Sequence, residues 1–197
     1  MPDAPAAPPP SETGDAALLA AVAAGDTAAC NELVRRHQGA VWRTCRALTA
    51  SDQAAEDAMQ ETFLAACRGA AGWRGEGSVR AWLLGLARRQ AARTWRRRKG
   101  EPVAPVPLHE LGSLAGWGRM EDPEAFVEAL QDRRRLWAAM DRLAPADREV
   151  IVLRDLEQLT GPEAAQALGI DLSALKSRLH RARLRLMAEL QADLRHD

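Results

Sequence analysis

The sequence predicts an all-α protein: two small helical domains joined by a flexible linker, the C-terminal one containing a helix-turn-helix. Three observations predict it. Apolar residues recur three and four positions apart through successive stretches, the spacing that gathers them on one side of a helix. Residues able to cap a helix precede those stretches, and glycines follow several of them. Between residues 100 and 122 the period gives way to Pro102, Pro105, Pro107 and several glycines, the composition of a linker. The expected divisions are a disordered tail over residues 1–14, a helical domain over 15–99, the linker over 100–122, and a second helical domain over 123–192.

In the first domain, Asp15 to Ala24 reads as a short helix with Leu18, Leu19 and Val22 inward, ended by Gly25. Thr27 to Ala50 is a longer one, capped by Asp26 or Thr27, with Leu33, His37, Val41, Cys45 and Leu48 as its stripe. His37 stands alone on that stripe and reads as a core or boundary histidine without a visible partner. Ser51 caps a third helix to Arg68 that buries Ala55, Met59, Phe63 and Ala66. Gln53, Asp57, Gln60 and Glu61 share another side of it. Gly69 to Gly77 is a loop bearing Trp73 and Arg74. Ser78 caps a fourth helix to about Lys99, apolar at Val79, Trp82, Leu83 and Leu86 and basic at its end, with Trp95 inside the basic cluster.

The second domain opens with Asp122 and Pro123 as a cap and first-turn proline, starting a helix to Leu143 with Leu130, Trp137 and Met140 inward. Pro145 starts the next helix, ADREVIVLRDLEQL, with Val150, Ile151 and Leu153 in the core. Thr160 and Glu163 then have capping-box spacing, Pro162 suits a first turn, and Ala164 and Ala165 let another helix cross closely. Gly169 supplies the turn, and Asp171 or Ser173 caps the last helix. Leu175, Leu179, Ala182 and Leu186 form its buried side, and the residues beyond Leu190 fray. Ser173, Lys176, Ser177, His180 and Arg181 point elsewhere, flanked by Arg178, Arg183 and Arg185, with no acid from Leu172 to Met187. A short helix after a glycine turn, apolar inside and basic outside, suits a DNA major groove. The alternative is a helical hairpin with a solvated basic face.

Composition narrows the function. Lys plus Arg and Asp plus Glu each number 27, so net charge says nothing of a nucleic-acid partner. Their distribution does: cations crowd into Arg88–Lys99 and Lys176–Arg185. Cys30, Cys45 and Cys67 are widely spaced with no CxxC, and read as buried thiols in a reducing cytoplasm rather than metal ligands or a disulfide. No apolar run of about 18 residues and no leader pattern predict a membrane association. The chain lacks a phosphate loop, HExxH, GxSxG and paired catalytic carboxylates. No catalytic residue, cofactor or metal is therefore expected.

GIDLSALKSRLHRAR, preceded by ADREVIVLRDLEQLTGPEAAQAL, resembles the promoter-recognition domain of bacterial RNA polymerase sigma factors, and most of all the extracytoplasmic-function group. AEDAMQETFLAA is similar to the sigma helix that docks on the clamp helices of the polymerase largest subunit; this implies Asp57, Gln60 and Glu61 as polymerase contacts, with Gln53 on the same side. GWRGEGSVRAWLLGLARRQAARTWRRR resembles the segment that opens the −10 element, which implies Trp73, Arg74, Ser78, Arg80, Arg88, Arg93, Arg96 and Arg97 as its contacts. The last helix then implies Ser173, Lys176, Ser177, Arg178, His180, Arg181 and Arg183 as contacts to the −35 element. Val79 and Cys67 depart from the family, whose members often carry aromatics there.

The resemblance implies a cytoplasmic, non-enzymatic subunit with three kinds of partner: core RNA polymerase through the clamp helices and the flap, double- and single-stranded promoter DNA, and an anti-sigma factor. The competing reading is a stand-alone helix-turn-helix regulator, which would share only the C-terminal half.

Overall fold

The protein is described by a computed structural model that covers residues 14–98 and 133–194, with side chains over 14–93 and 136–192. The N-terminal tail, the linker, and the expected helix start at Asp122–Pro123 with Leu130 lie outside those residues, as do the side chains of Trp95, Arg96 and Arg97. Eight α-helices and no strand occur among the described residues.

Four helices build the N-terminal unit. Helix α1 (Asp15–Ala23) buries Leu18, Leu19 and Val22, and the chain leaves it through Gly25 at φ +93°. The Asp26 carboxylate accepts from the amides of Ala28 and Ala29 to start α2 (Thr27–Leu48). The Ser51 hydroxyl accepts from the Ala54 amide to start α3 (Asp52–Gly69). A single 3₁₀ turn at Ala70–Gly72 leads to the glycine loop, and the Ser78 hydroxyl accepts from the Ala81 amide at 3.1 Å as α4 (Val79–Arg98) begins. Helices α2, α3 and α4 all touch one another. Leu33, Val41, Ala55, Ala66, Leu83 and Leu84 are wholly buried between them.

The C-terminal unit consists of α5 (Arg133–Arg142), α6 (Pro145–Ile151), α7 (Gly161–Leu168) and α8 (Leu172–Leu194). Helix α8 packs against the other three. Its stripe of Leu175, Leu179, Ala182 and Leu186 is buried as the spacing predicts. The helix continues through Leu194, past the expected fraying point, because Leu190 is itself buried and holds the last turns. Arg148 is 1% exposed, donates to the Asp141 carbonyl at 2.6 Å, and its guanidinium is pushed down by burial.

Three sequence expectations are corrected. His37 is not partnerless: its Nε2 lies 2.8 Å from Asp15 Oδ2, across the α1–α2 turn. Cys30 and Cys67 are not free thiols but a disulfide. Helices α2 and α3 run antiparallel, so the start of one lies beside the end of the other, and residues 37 apart in sequence come to a Cα separation of 6.4 Å. The run ADREVIVLRDLEQL is not one α-helix: α6 stops at Ile151 and a π-helical segment, Val152–Leu156, follows. The amide of Glu157 then reaches the Val152 carbonyl at 2.9 Å, and Gln158 takes a left-handed φ of +53°.

Candidate nucleic-acid interface

The helix-turn-helix forms as its local chemistry dictates. Thr160 Oγ1 accepts from the Glu163 amide, and Glu163 Oε2 accepts from the Thr160 amide at 2.9 Å, closing the capping box. Gly169 ends α7 at φ +68°, a conformation with little steric cost only for glycine. The Asp171 carboxylate accepts from the Ala174 amide at 2.8 Å and caps α8, and that bond holds its carboxyl below the usual range. Of the two candidate caps, Asp171 is the one used; Ser173 donates to it at 2.7 Å.

Burial of one side of α8 presents the other to solvent. Ser173, Lys176, Ser177, His180, Arg181 and Arg183 are exposed, and Arg178 is half-buried. Arg183 is not a free cation: it makes two hydrogen bonds to Asp155, at 2.6 and 3.0 Å, and the carboxylate raises its pKa. The face therefore carries Lys176, Arg178 and Arg181 as cations for which no acidic partner is described.

In the N-terminal unit, Gln53, Asp57, Gln60 and Glu61 are all exposed on α3, and Gln53 donates to Asp57 at 3.1 Å. Leu64, one turn further, is 46% exposed and extends this side with an apolar residue. Trp73 is half-buried against the core. Arg74 and Ser78 are exposed, as is Arg93, while Arg80 and Arg88 are partly buried.

The C-terminal unit partly covers Arg80 and Arg88, and it also engages Ser78, which stays exposed. Glu157, its side chain fully buried, receives Arg43 from α2 at 2.8 and 3.0 Å and Arg80 from α4 at 2.6 Å. Arg80 also donates to the Glu157 carbonyl at 2.8 Å. Arg88 donates to Glu149 at 2.9 Å. Ser78 donates to Glu163 Oε1 at 2.5 Å, and this bond is the first cause of that carboxyl's lowered pKa. One carboxylate thus serves the starts of both α4 and α7. Gly77, at φ +73°, lets α7 close in: a Cβ there would lie 2.9 Å from Gln166 Oε1. Further along, the Gly85 position faces Ala167 at van der Waals contact.

Arg43, Glu149 and Glu157 play no part in the sequence reading. Glu157 lies in a stretch that reads as helix throughout, and nothing in its spacing marks the break. The π segment and Gln158 re-aim it. A left-handed non-glycine residue costs about 1–3 kcal/mol and persists where its surroundings fix it. Here the two arginines on Glu157 do so.

Comparison with known proteins follows the same division. Residues 33–101 match the model of Sigma-70 region 2, and residues 133–186 that of Sigma-70 region 4. The chain is 34% identical over 175 residues to the ECF RNA polymerase sigma factor SigM of Mycobacterium tuberculosis, covering 89% of this chain and 84% of that one. It is 32% identical over 185 residues to the RNA polymerase sigma factor CnrH of Cupriavidus metallidurans, covering 92% and 97%. Among solved structures it is similar to CnrH in complex with the cytosolic domain of CnrY, with TM-score 0.66, 28% identity and coverage of 92% of this chain and 99% of that one. It shares the fold of the sigma factor RpoE bound to the anti-sigma factor NepR from Bartonella quintana, with TM-score 0.61, 23% identity and coverage of 83% and 97%.

Proposed function

The chain belongs to the extracytoplasmic-function RNA polymerase sigma factors, and on that premise we propose how its surfaces divide the work of starting transcription. Residues 15–99 form the unit that docks on core polymerase and opens the −10 element, and residues 123–192 the unit that reads the −35 element, with 100–122 as the connection. The observation that carries this reading is the exposed face of α8. Its cations sit on a helix capped at its N-terminus by Asp171, whose opposite side is locked into a core, so their Cα positions are held at fixed spacing. That is what a groove-reading helix requires.

The docking surface is the exposed side of α3, with Gln53, Asp57, Gln60 and Glu61 meeting the clamp helices of the polymerase largest subunit. Region 4 meets the flap. The −10 strand is held by Arg74, Arg80, Arg88, Arg93, Arg96 and Arg97 through phosphates, which is sequence-independent and salt-sensitive. Trp73 and Ser78 receive the unstacked base, a reading supported by the part of the indole surface that stays open. The neighbour CnrH is found with the cytosolic domain of CnrY. By analogy this chain takes an anti-sigma factor as a protein partner, and works in the cytoplasm as a specificity subunit without catalysis of its own. No described helix is long and apolar enough to cross a membrane.

Transcription of a fragmented genomic template by core polymerase, with and without this protein, tests the reading. Start-site sequencing should show a set of initiation sites absent with core alone and sharing two upstream motifs. Initiation unchanged by the protein would refute it.

A further inference from the structure

A disulfide is out of keeping with the cytoplasm proposed above for this chain, where protein dithiols and glutathione hold cysteines as thiols. Those that do form in that compartment are mostly transient, as catalytic or redox-sensing bonds. We propose that Cys30 and Cys67 are a reversible oxidation site, closed by a peroxide and opened by a protein dithiol, that sets the loop carrying Trp73 for promoter opening. The proposal rests on the reading of Trp73 as the residue that receives the unstacked base, and adds how that loop is regulated.

Position and access single out this pair. Cys67 lies in the last turn of α3, just before the glycine loop begins, and Cys30 in the first turn of α2. The bond therefore ties the base of the loop to α2, at the corner where α1 also packs on the 3₁₀ turn. The other end of the loop is held where Ser78 caps α4. From Arg68 to Gly72 only Ala70 is buried, so side-chain anchorage of this corner comes down to the sulfur bridge and one methyl group. Trp73 depends on that corner, because its amide donates to the Ala70 carbonyl at 3.1 Å. A glycine-rich backbone orders only at an entropic cost, so the anchor decides how often Trp73 is in place. The oxidised form is accordingly the one that opens promoters. Cys30 and Cys67 are half-buried, so small oxidants reach them; Cys45 is wholly buried and takes no part. In the oxidising step one thiolate attacks hydrogen peroxide: an S–O bond forms, the O–O bond breaks and hydroxide leaves. The second thiolate displaces hydroxide from that sulfenic acid as the S–S bond forms. Two thiols and one peroxide thus give the disulfide and two waters. In the reducing step a thiolate of the dithiol attacks one sulfur and its second thiol resolves the mixed disulfide. The reductant leaves as a disulfide and both cysteines regain their protons.

The test uses the full chain, with C30S and C67S as permanently reduced forms and C45A as the control. Circular dichroism melting establishes that each variant is folded, and the dithiothreitol-reduced parent carries the comparison where a serine variant is not. The folded parent is first equilibrated in a series of glutathione buffers, and its thiols are counted by iodoacetamide labelling and intact mass. The pair should open within the series and close again on addition of hydrogen peroxide; a bond that survives the most reducing buffer is a permanent staple and overturns the switch. Trypsin then reads the loop. Cleavage after Arg68 and Arg74, mapped by mass, should be faster in the reduced parent, C30S and C67S than in the oxidised parent, and C45A should behave as the parent does. Equal cleavage would overturn the anchoring of the loop. Finally, oxidised and reduced proteins, freed of reagent, are combined with core polymerase on promoters found by start-site sequencing. Gel shifts should be alike. Permanganate-reactive thymines should fall roughly fivefold in the reduced forms, the factor expected if about one reduced molecule in five keeps the loop in place, because apparent activity scales with the competent fraction. Equal permanganate signals from oxidised and reduced holoenzymes would overturn the regulatory role. Failure of both forms to direct initiation would instead overturn the promoter-opening reading and leave the oxidation site to stand on the glutathione and trypsin results.

Discussion

Glu163 shows how much one side chain can be asked to do. It closes its own capping box, caps nothing else in α7, and yet receives Ser78 from the other unit. Its carboxyl titrates below its ordinary value of 4.5, so its contribution is fully present above that pH and is lost as the pH falls through the lower, folded value. The E163Q protein should melt lower than the parent at pH 7, by the equivalent of about 0.3–1.5 kcal/mol for a lost capping element. The gap should narrow steadily on titration to pH 3, as thermal denaturation at each pH will show. Cysteine chemistry gives a second residue-level prediction. Cys45 is buried and its thiol is pushed up to about 12, while Cys30 and Cys67 are joined. Iodoacetamide should therefore add to none of the three cysteines in the native, unreduced protein at neutral pH, to one after unfolding, and to three after unfolding and reduction, counted by intact mass. Neither the disulfide nor the His37–Asp15 pair was legible in the sequence. Both depend on which turns of neighbouring helices lie side by side, and that is a property of the helix pairing, not of local spacing.

Among the elements, α3 and α8 were the most legible, because their periods, caps and charges agree. For α3, the exposed positions are those the periodicity left off the core, so Asp57→Arg should keep the melting temperature within a few degrees while weakening capture of core polymerase in a pull-down. Full capture by the folded variant would place docking elsewhere. For α8, Arg181→Ala or Lys176→Ala at a phosphate contact should reduce the salt slope of holoenzyme binding by about one, whereas loss of a base contact should cost about 1–3 kcal/mol and relax one promoter position. Arg183→Ala should do less, since Asp155 already engages that guanidinium. That partner was invisible in sequence, 28 positions upstream on a segment that reads as helix. The failure at α6 has the same root. A π segment keeps every residue in helical surroundings and changes only the bonding register, so the apolar pattern of Val150, Ile151 and Leu153 looks uninterrupted while Glu157 is turned to face the other unit.

For the molecule as a whole, the composition shift at residues 100–122 separates two sets of helices in sequence, but nothing in it shows that they lie against each other. Their contact combines the Arg43 and Arg80 pairs on Glu157 with the close approach of Gly85 and Ala167, and neither leaves a periodic trace. Such an interface couples the units in unfolding: the intact chain should give one calorimetric transition, and A167W should resolve it into two. The sharing of Glu157 by Arg43 and Arg80 also has a consequence over evolutionary time. A substitution at any one of the three alters how firmly the two units hold together. No member of the trio can then drift alone; a lineage that changes one would need a matching change at another to keep its units joined, and descendants should carry those three positions as a covarying set.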